Sequence, residues 1–488
     1  MSPSKNPLIS SHYSILRLYC TRRVRKNVDN NIRNVILDER RMSERRSVNA
    51  RGNAFGQRFP RAGWVMALAV AAASLTAGTA RAQMGNLGNL SDPWLFFDPG
   101  PWLTYDLGPM ETRLGGRFVL DASKYSYANP SRSGVDFTEI RPRLSGRMEG
   151  LTWLVEGDAV GLRTPHHLYE AWASYEFFRA LRLTAGQLRV AFGTEFATDP
   201  ANLPFHGLAF PSYLDGRYDL GARLDGELFG PALFYEATAT TGDGFGLEGH
   251  RRRSPLYALR LLVHPLGWLE DTGSAGRTFL RGLYAGFAEG RMEDFDDPVI
   301  LATPDRHVVF MTPDLAGRAG SLRHMEAGLH GGPWRASWEL AHVTAADVPI
   351  PTGREDMDQL TSWQAAFAWN LTGQEQVLRR GRWEGGPRNG FALLPADWIP
   401  GRLEASVRYA NADVDRDLFN YGFTNYVMST QEVRTFSTFL SWAPFANRSE
   451  EKLRLGFGFV RTIADHELAK FGGTNRDSTY TFRIELDL

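Results

Sequence analysis

Arginines recur along this chain at positions that share one side of alternating apolar and polar segments. Successive side chains of a strand point to opposite faces, so these arginines would line one face of a sheet. If that face encloses water, a row of guanidinium groups lowers the electrostatic barrier to anions. The candidates for such an anion track are Arg117, Arg141, Arg143, Arg147, Arg189, Arg223, Arg408, Arg454 and Arg483. The alternative is that they pair with carboxylates of neighbouring strands and only polarise the wall, the candidate partners being Glu156, Asp158, Asp225, Glu227 and Glu404.

The segment 191–217 combines ionisable residues with prolines that stiffen it, among them Pro200 and Pro204. If this segment folds into an enclosed space, it narrows that space and places its charged groups where a solute would pass. The alternative is a flap that stays outside. The candidate constriction residues are Glu195, Asp199, His206, Asp215 and Arg217.

Other candidate sites are weaker. The acidic runs 294–297 and 413–417 resemble cation-binding loops in carboxylate spacing, but neither completes an EF-hand pattern, so solvated loop charge is the favoured interpretation. No histidine pair with a supporting carboxylate occurs at strand spacing, and no G-x-S-x-G is present. We therefore predict no catalytic residue, no metal and no cofactor, and no enzyme activity. A hydrolase with a serine and a histidine side by side on an outer wall is the catalytic alternative.

The elements that would position these residues are strands. The last nine residues alternate without a break, with Tyr480, Phe482 and Ile484 on one side and Arg483 and Glu485 on the other. One face suits lipid and the other suits water, because a charged group facing lipid at mid-bilayer costs about 2–4 kcal/mol. An edge strand of a soluble sandwich alternates in the same way and is the alternative for this strand alone.

The start of the chain has the pattern of an export signal. Arg58 and Arg61 precede the apolar run 64–75, and Ala80-Arg81-Ala82 follows at the A-x-A spacing. We predict a signal peptide over 61–82 that is cleaved after Ala82, because the run is too short for a transmembrane helix. Residues 1–60 would be a non-native or disordered extension, and 83–113 a periplasmic segment ahead of the main domain at 114–488.

Composition after that cleavage limits the class of protein. Residues 1–82 hold 15 of the 55 Lys/Arg and 4 of the 55 Asp/Glu, so about 40 basic and 51 acidic residues would remain. That net negative charge argues against nucleic acid as a partner. The only cysteine, Cys20, would be removed as well, so no disulfide contributes and a large sheet or barrel must supply the stability.

About sixteen alternating segments of roughly ten residues run from near Leu114 to Leu488, the length that a tilted membrane-crossing strand needs. Tight turns alternate with long connections. The predicted turns are at 150, 178–179, 230–231 and 331–332, and the predicted long connections are at 126–137, 191–217, 242–254, 291–320, 345–360, 411–432 and 464–477. This parity predicts an all-β transmembrane antiparallel barrel. The Gly- and Pro-rich segment 372–401 breaks the parity, since a short turn is expected there.

Three stretches resemble the phosphate-selective porin O/P family of outer-membrane channels. They are LRLTAGQLRVAFGTE at 181–195, YDLGARLDGELFGPALFYEATATTGDG at 218–244, and the segment 369–409, which contains WNLTGQEQVLRRG and LEASVRYA. The resemblance implies a sixteen-stranded channel narrowed by inward-folded loops, a homotrimer, and an arginine ladder with pore lysines. This chain departs from that pattern, because 191–217 contains no lysine and carries Glu195, Asp199 and Asp215.

We therefore expect a porin in the outer membrane of a Gram-negative-type bacterium, through which small hydrophilic solutes, among them anions such as phosphate, diffuse passively. Sixteen strands enclose more volume than side chains fill, which is the physical basis of that expectation. Its partners would be membrane lipid, lipopolysaccharide and the transported solutes. The alternative is a barrel that conducts little and acts as a scaffold or adhesin through its long outer loops.

Overall fold

The computed structural model describes residues 104–106, 110–126, 133–160, 168–215, 217–242, 255–267, 281–293, 299–312, 319–386, 391–394, 398–426, 429–444, 453–468, 471 and 473–487. The predicted extension and signal peptide lie outside these residues, as does most of 83–113. The strands are β1 (Thr104–Asp106), β2 (Glu111–Tyr125), β3 (Gly134–Met148), β4 (Leu151–Gly157), β5 (Leu168–Phe178), β6 (Leu181–Val190), β7 (Arg217–Leu228), β8 (Leu233–Thr240), β9 (Leu256–Val263), β10 (Tyr284–Met292), β11 (Ile300–Ala302), β12 (Val308–Met311), β13 (Ala319–Gly331), β14 (Trp334–Ile350), β15 (Gly353–Asn370), β16 (Gln376–Arg379), β17 (Arg382–Gly385), β18 (Arg402–Val414), β19 (Glu432–Ala443), β20 (Leu453–Leu468) and β21 (Thr474–Asp487).

Sixteen of these strands form one closed antiparallel barrel. Each barrel strand pairs with the next along the chain, and β21 pairs with β2 from Arg117 opposite Asp487 to Tyr125 opposite Thr479. The predicted all-β barrel of about sixteen strands is confirmed. Because the count is even, β2 begins and β21 ends at the same rim, here called the terminal rim; the opposite one is the far rim.

Alternation separates the two faces of the wall. On β9, Tyr257 and Leu259 are 57% and 47% exposed, whereas Arg260 between β8 and β10 is 2% exposed. On β21, Phe482 is 45% exposed and its neighbour Arg483 only 3%. Large apolar side chains therefore cover the outside of the barrel, and charged side chains point into it.

Four connections at the terminal rim are tight, as predicted, near 150, 180, 230 and 332. At the far rim two predicted long connections are wrong. Instead of 464–477, β20 continues to Leu468 and β21 begins at Thr474. Instead of 345–360, β14 continues to Ile350 and β15 begins at Gly353. The pairing of β14 and β15 shifts register after Val343 and again after Ala345. Bulges of this kind interrupt strict alternation, which explains why the sequence pattern resembled a loop.

Shorter elements lie in the connections. Helices span Thr194–Ala197, Phe210–Asp215 and Arg416–Asn420, and 3-10 turns span Pro200–Asn202 and Gly230–Ala232. The hairpin β11–β12 belongs to the connection between β10 and β13, and the hairpin β16–β17 to the connection between β15 and β18. In the described part of the chain no helix has the length and apolar character to cross a membrane.

Candidate functional site in the barrel interior

The connection between β6 and β7, residues 191–216, is here called the inserted loop. It leaves the far rim and turns back through short helical segments. Pro200 starts the 3-10 turn Pro200–Asn202, and Asp199 caps it, because its Oδ1 accepts from the amide of Ala201 at 2.9 Å. An Asp-Pro pair is suited to this position, since proline needs no hydrogen bond in the first turn and Asp satisfies a free amide.

Glu195 is the centre of a buried polar network between the inserted loop and the wall. Its Oε1 accepts from Arg408 Nη1 at 2.5 Å, and its Oε2 accepts from Gln364 Nε2 at 3.1 Å. Within the loop, Oε2 also accepts from Ser212 Oγ at 2.6 Å and from the amide of Ala209 at 3.0 Å. One carboxylate thus links the two halves of the loop to β15 and β18.

Wall arginines also donate to backbone carbonyls of the inserted loop. Arg454 Nη1 lies 2.9 Å from the carbonyl oxygens of both Ala201 and Leu203. Arg335 Nη2 donates to the carbonyl of Asn202 at 3.2 Å. These contacts come from β20 and β14, so the loop is held from several sides and lies inside the barrel.

Asp199 faces a third part of the wall. Its carboxylate lies 3.6 Å from Arg143 on β3 and 3.9 Å from Arg117 on β2. Burial raises the pKa of Asp199, but Arg143, Arg117 and the nearby Arg189 outweigh this effect and hold it at about 2. Asp199 is therefore a fixed negative charge at all physiological pH values.

His206 packs near Phe439, with ring centroids 5.9 Å apart. Burial lowers its pKa to about 3, and Arg483 and Arg408 act in the same direction against Asp121. Of the remaining two predicted constriction residues, Arg217 begins β7 and its Nη1 lies 3.3 Å from Met292 Sδ. Asp215 ends the helix Phe210–Asp215.

The predicted pore arginines are brought into the interior, where all but one are buried or partly buried beside carboxylates. These pairs, at N–O distances of 2.5–3.5 Å, are Arg117 with Glu139 and Glu485, Arg141 with Glu139 and Glu156, Arg143 with Glu156, Arg189 with Glu170, Arg223 with Asp225, Arg408 with Glu195, Arg454 with Glu485, and Arg483 with Asp121. The exception is Arg147, which is exposed and lies 3.5 Å from Glu111. Of the carboxylates named in the pairing alternative, Glu156 lies beside Arg141 and Arg143 and Asp225 beside Arg223, whereas Glu227 lies beside Arg179 and Glu404 beside Arg402.

Several interior residues were not among the sequence candidates. Arg260 donates to Glu326 Oε1 at 2.8 Å, and Glu326 Oε2 accepts from the amide of Thr194 at 2.9 Å. Glu339 Oε1 accepts from the amide of Glu195 at 2.9 Å. Arg260, Glu326, Arg335 and Glu339 all alternate with outward apolar residues on their strands, so the same pattern that selected the other arginines would have found them.

The hairpin β16–β17, here called the rim hairpin, enters the barrel from the terminal rim. Its two-residue turn, Arg380-Gly381, has φ of 47° and 65°. Two positive φ values are typical of a tight hairpin turn, and they explain the glycine. The amide of Trp383 donates to Thr198 Oγ1 at 3.0 Å, so the rim hairpin contacts the inserted loop inside the barrel.

Trp383 is the apolar anchor of the rim hairpin. Its ring lies 4.6 Å from the Arg335 guanidinium carbon, 5.9 Å from Tyr284 and 5.5 Å from His330, measured between centroids for the two aromatic pairs. At the hairpin tip, Arg380 makes two 3.0 Å hydrogen bonds to Glu176. The segment 372–401 therefore departs from a short turn because part of it packs inside the barrel.

The interior is closely filled where these segments meet. A cavity beside Glu195, Phe205, Arg335 and Trp383 measures about 20 Å³, taken as the space open to the centre of a water molecule. That is room for about one water. Towards the far rim, a buried apolar cluster joins the inserted loop, β11–β12 and the wall, and it includes Phe192, Phe210, Leu301, Phe310 and Leu418.

The acidic run 413–417 has a local structural role. Asp415 Oδ1 accepts from the amide of Asp417 at 2.9 Å and caps the helix Arg416–Asn420. Because the cap uses one carboxylate oxygen of Asp415, that oxygen is less available as a ligand for a cation. The run 294–297 lies outside the described residues.

Comparison with known proteins gives weak likenesses only. No family model and no curated protein matches the sequence. Among solved structures, the outer-membrane expressed OmpT of Vibrio cholerae has 10% identity and a TM-score of 0.44, with 78% of this chain and 98% of that chain covered. OmpF of Salmonella typhi, in complex with daunomycin, has 9% identity, the same coverage and a TM-score of 0.43. OpdQ of Pseudomonas aeruginosa has 11% identity and a TM-score of 0.37, over 78% of this chain and 97% of that chain. Likenesses this weak assign neither a family nor a function.

Proposed function

We propose that this protein is an outer-membrane channel through which small hydrophilic solutes diffuse passively. The observation that carries the proposal is a closed sixteen-stranded barrel whose outer wall is apolar and whose interior is charged. Exposing so large an apolar surface to water is unfavourable, whereas contact between that surface and lipid is favourable. Export by the predicted signal peptide, with cleavage after Ala82, would deliver the chain to that membrane.

The inserted loop and the rim hairpin set the size of solute in this proposal. They pack against each other and leave a cavity of about 20 Å³ beside Glu195 and Trp383. Where they meet, a solute larger than water could pass only if at least one of them moved. We propose the inserted loop as the constriction and the rim hairpin as its counterpart on the terminal side.

Planar-bilayer recording of the purified full chain tests the proposal. We expect discrete conductance steps, and larger steps after residues 375–386 are replaced by a short glycine linker. Liposome swelling with sugars of increasing size should give rates that fall with solute size. No conductance above the lipid background, in the intact chain and in the linker variant alike, would contradict a channel function.

More specifically, we propose that the diffusing solutes include anions such as phosphate, because the interior contains the arginines described above. Most of these guanidinium groups have a carboxylate beside them, so we expect only a modest preference for anions. Reversal potentials in a salt gradient measure this preference. Cation selectivity would contradict the anion proposal and leave the channel proposal intact.

We also propose that the protein forms a homotrimer in contact with lipopolysaccharide. Cross-linking in intact membranes tests this assembly.

The segments that pack inside the barrel favour a second candidate, a barrel that conducts little and presents its far-rim loops as a scaffold or adhesin. The buried apolar cluster around Phe310 and Leu418 would then serve to stabilise those loops. This candidate predicts swelling rates that do not depend on the solute. It also predicts that loss of the rim hairpin leaves conductance unchanged.

A further inference from the structure

The hairpin β11–β12 folds inward from the far rim and is fixed on two sides. The carbonyl of Val309 accepts from the amide of Thr430 at 2.9 Å. Gly207 of the inserted loop approaches it so closely that a Cβ there would lie 2.1 Å from the carbonyl oxygen of Pro304. These contacts bring the turn of the hairpin, residues 303–307, against the inner face of β21.

Three potential metal ligands meet at this contact. Asp305 and His307 come from the hairpin turn and Asp477 from β21, and their nearest ligand atoms all lie within 4.8 Å of one another. The side chains are at most 2% exposed. Asp-x-His places both hairpin ligands on one side of the turn, and the topology supplies the third.

The distances in this cluster fit a coordination sphere. His307 Nε2 lies 3.5 Å from Asp305 Oδ2 and 3.3 Å from Asp477 Oδ2. Direct N–H···O hydrogen bonds are usually about 2.7–3.2 Å. Two ligand atoms at about 2.0–2.2 Å from a tetrahedral Zn²⁺ are separated by about 3.4 Å, which matches both values.

The surroundings orient the ligands as metal sites require. The imidazole of His307 lies edge-on to Tyr125, with centroids 5.0 Å apart, and to Phe471 at 5.6 Å. Thr479 Oγ1 donates to Asp305 Oδ2. Asp305 Oδ1 is buried and accepts no hydrogen bond from any residue in the described part of the chain. Thr479 thus orients the carboxylate whose Oδ2 faces His307, and a cation bound by both oxygens of Asp305 would also use Oδ1.

A second group with similar residues differs in one respect. His324, Glu326 and Glu339 also lie within 4.8 Å, but the carboxylate oxygens there already accept hydrogen bonds. Glu326 accepts from Arg260 and Thr194, and Glu339 accepts from the amide of Glu195 and from Gln364. Arg260 also supplies the positive charge that a metal would bring. This group is therefore a hydrogen-bond network that holds the inserted loop.

We propose that Asp305, His307 and Asp477 bind one divalent transition-metal ion such as Zn²⁺. The imidazole and two carboxylates suit that class of metal, and the ion would balance the charge of the two buried carboxylates. Because the ligands come from two segments, the metal fastens β11–β12 to the barrel wall. This metal site does not depend on conduction, so it can be tested separately from the channel function.

Metal titration of the full chain, purified in detergent and stripped with EDTA, tests this site. We expect one Co²⁺ per chain with the visible absorption of a low-symmetry site, displaced by Zn²⁺, and a rise in Tm when Zn²⁺ is added. Asp477→Asn and His307→Gln should each lower the affinity at least about 100-fold, since even outer partners of a metal contribute about 10–100-fold.

His342→Gln is the matched control, because His342 also lies 3.5 Å from a carboxylate, that of Asp358, but is partly exposed. It should bind metal as the unmodified chain does. If the His307 variant does not fold, Asp305→Asn provides an isosteric second test. No metal bound by the stripped chain, or equal affinity in the Asp477 variant, would overturn the proposal. Loss of the bound metal in a His324→Gln variant, with the affinity of the Asp477 variant unchanged, would place the metal at the other group and also overturn the proposal.

Discussion

The inserted loop and the rim hairpin enter the same barrel from opposite rims, yet they are held by different forces. The inserted loop is fixed by buried charges, with Glu195 bonded to Arg408 and loop carbonyls bonded to Arg454. The rim hairpin is fixed by the ring of Trp383 and, at its tip, by the partly exposed pair of Arg380 and Glu176. The first is a network of interdependent polar contacts centred on Glu195. The second combines one apolar anchor, one ion pair at the tip, here called the latch, and single hydrogen bonds to Thr198, Arg260 and Glu404.

This difference has a consequence for motion. Removing one member of a buried ion pair leaves an uncompensated charge and costs about 3–5 kcal/mol, whereas an exposed pair contributes about 0–1 kcal/mol. Displacing the inserted loop would break the buried pair of Glu195 and Arg408 together with the hydrogen bonds that Arg454 and Arg335 donate to loop carbonyls. Displacing the rim hairpin breaks one partly exposed ion pair, uncovers one indole and breaks single hydrogen bonds to Thr198, Arg260 and Glu404. We therefore expect the rim hairpin to be the segment that moves if the barrel opens.

The largest effect on stability should come from Glu195→Ala. It leaves the guanidinium of Arg408 buried without its carboxylate and removes the acceptor for Gln364 and Ser212. We expect the free energy of unfolding to fall by about 3–5 kcal/mol. Urea unfolding in detergent micelles, followed by circular dichroism, measures this change.

Glu432→Ala is the matched control, because Glu432 forms a 2.6 Å pair with Arg434 on the exposed side of β19. Its effect should stay below about 1 kcal/mol. Equal effects of the two substitutions would mean that the inserted loop is not held by buried charge.

The next effect should come from Trp383→Ala. The substitution removes the contacts with Arg335, Tyr284 and His330. Its cost should lie below the roughly 3–5 kcal/mol typical of a buried tryptophan, because water can replace the ring when the hairpin leaves the barrel. If the barrel conducts, single-channel conductance should rise, whereas Glu195→Ala should mainly affect stability.

Trp398→Ala supplies the comparison, since Trp398 lies in the same connection and is 75% exposed. It should change neither stability nor conductance. A rise in conductance with Trp398→Ala equal to that with Trp383→Ala would show that loosening this connection in general, rather than removing the buried anchor, opens the barrel.

The sequence predicted the barrel because its main determinant is local. In each strand the side chains alternate between an apolar outside and a charged inside, and this period of two can be read without knowing the partner strand. The alternation of short turns and long connections is also local, so it predicted which connections lie at each rim. The prediction failed between β14 and β15, where the register shifts after Val343 and Ala345 hide the alternation.

The interior could not be predicted in the same way, because its contacts join distant parts of the chain. Glu195 and Arg408 are 213 positions apart, and Thr479 and Asp305 are 174 apart. A single sequence shows that 191–217 is long and charged, but not which wall residues receive it. Likewise, Asp305-x-His307 is visible as a pair of ligands, whereas Asp477 joins them only once the barrel closes.

The smallest effect should come from Arg380→Ala, which removes the latch at the tip of the rim hairpin. The two side chains are 16% and 38% exposed, so the loss in unfolding free energy should not exceed about 1 kcal/mol. The substitution is most informative when channel closing is measured at several salt concentrations, because the attraction between exposed charges is screened within about 10 Å at 0.1 M salt. If the latch holds the hairpin inside, low salt should lengthen the closed times of single channels in the unmodified chain.

The salt dependence of these closed times should disappear in Arg380→Ala and in Glu176→Ala. The double variant should behave as either single variant does. Persistence of the salt dependence in all three variants would assign it to the buried arginines around the inserted loop, and the two segments would then no longer differ in the way their anchors predict.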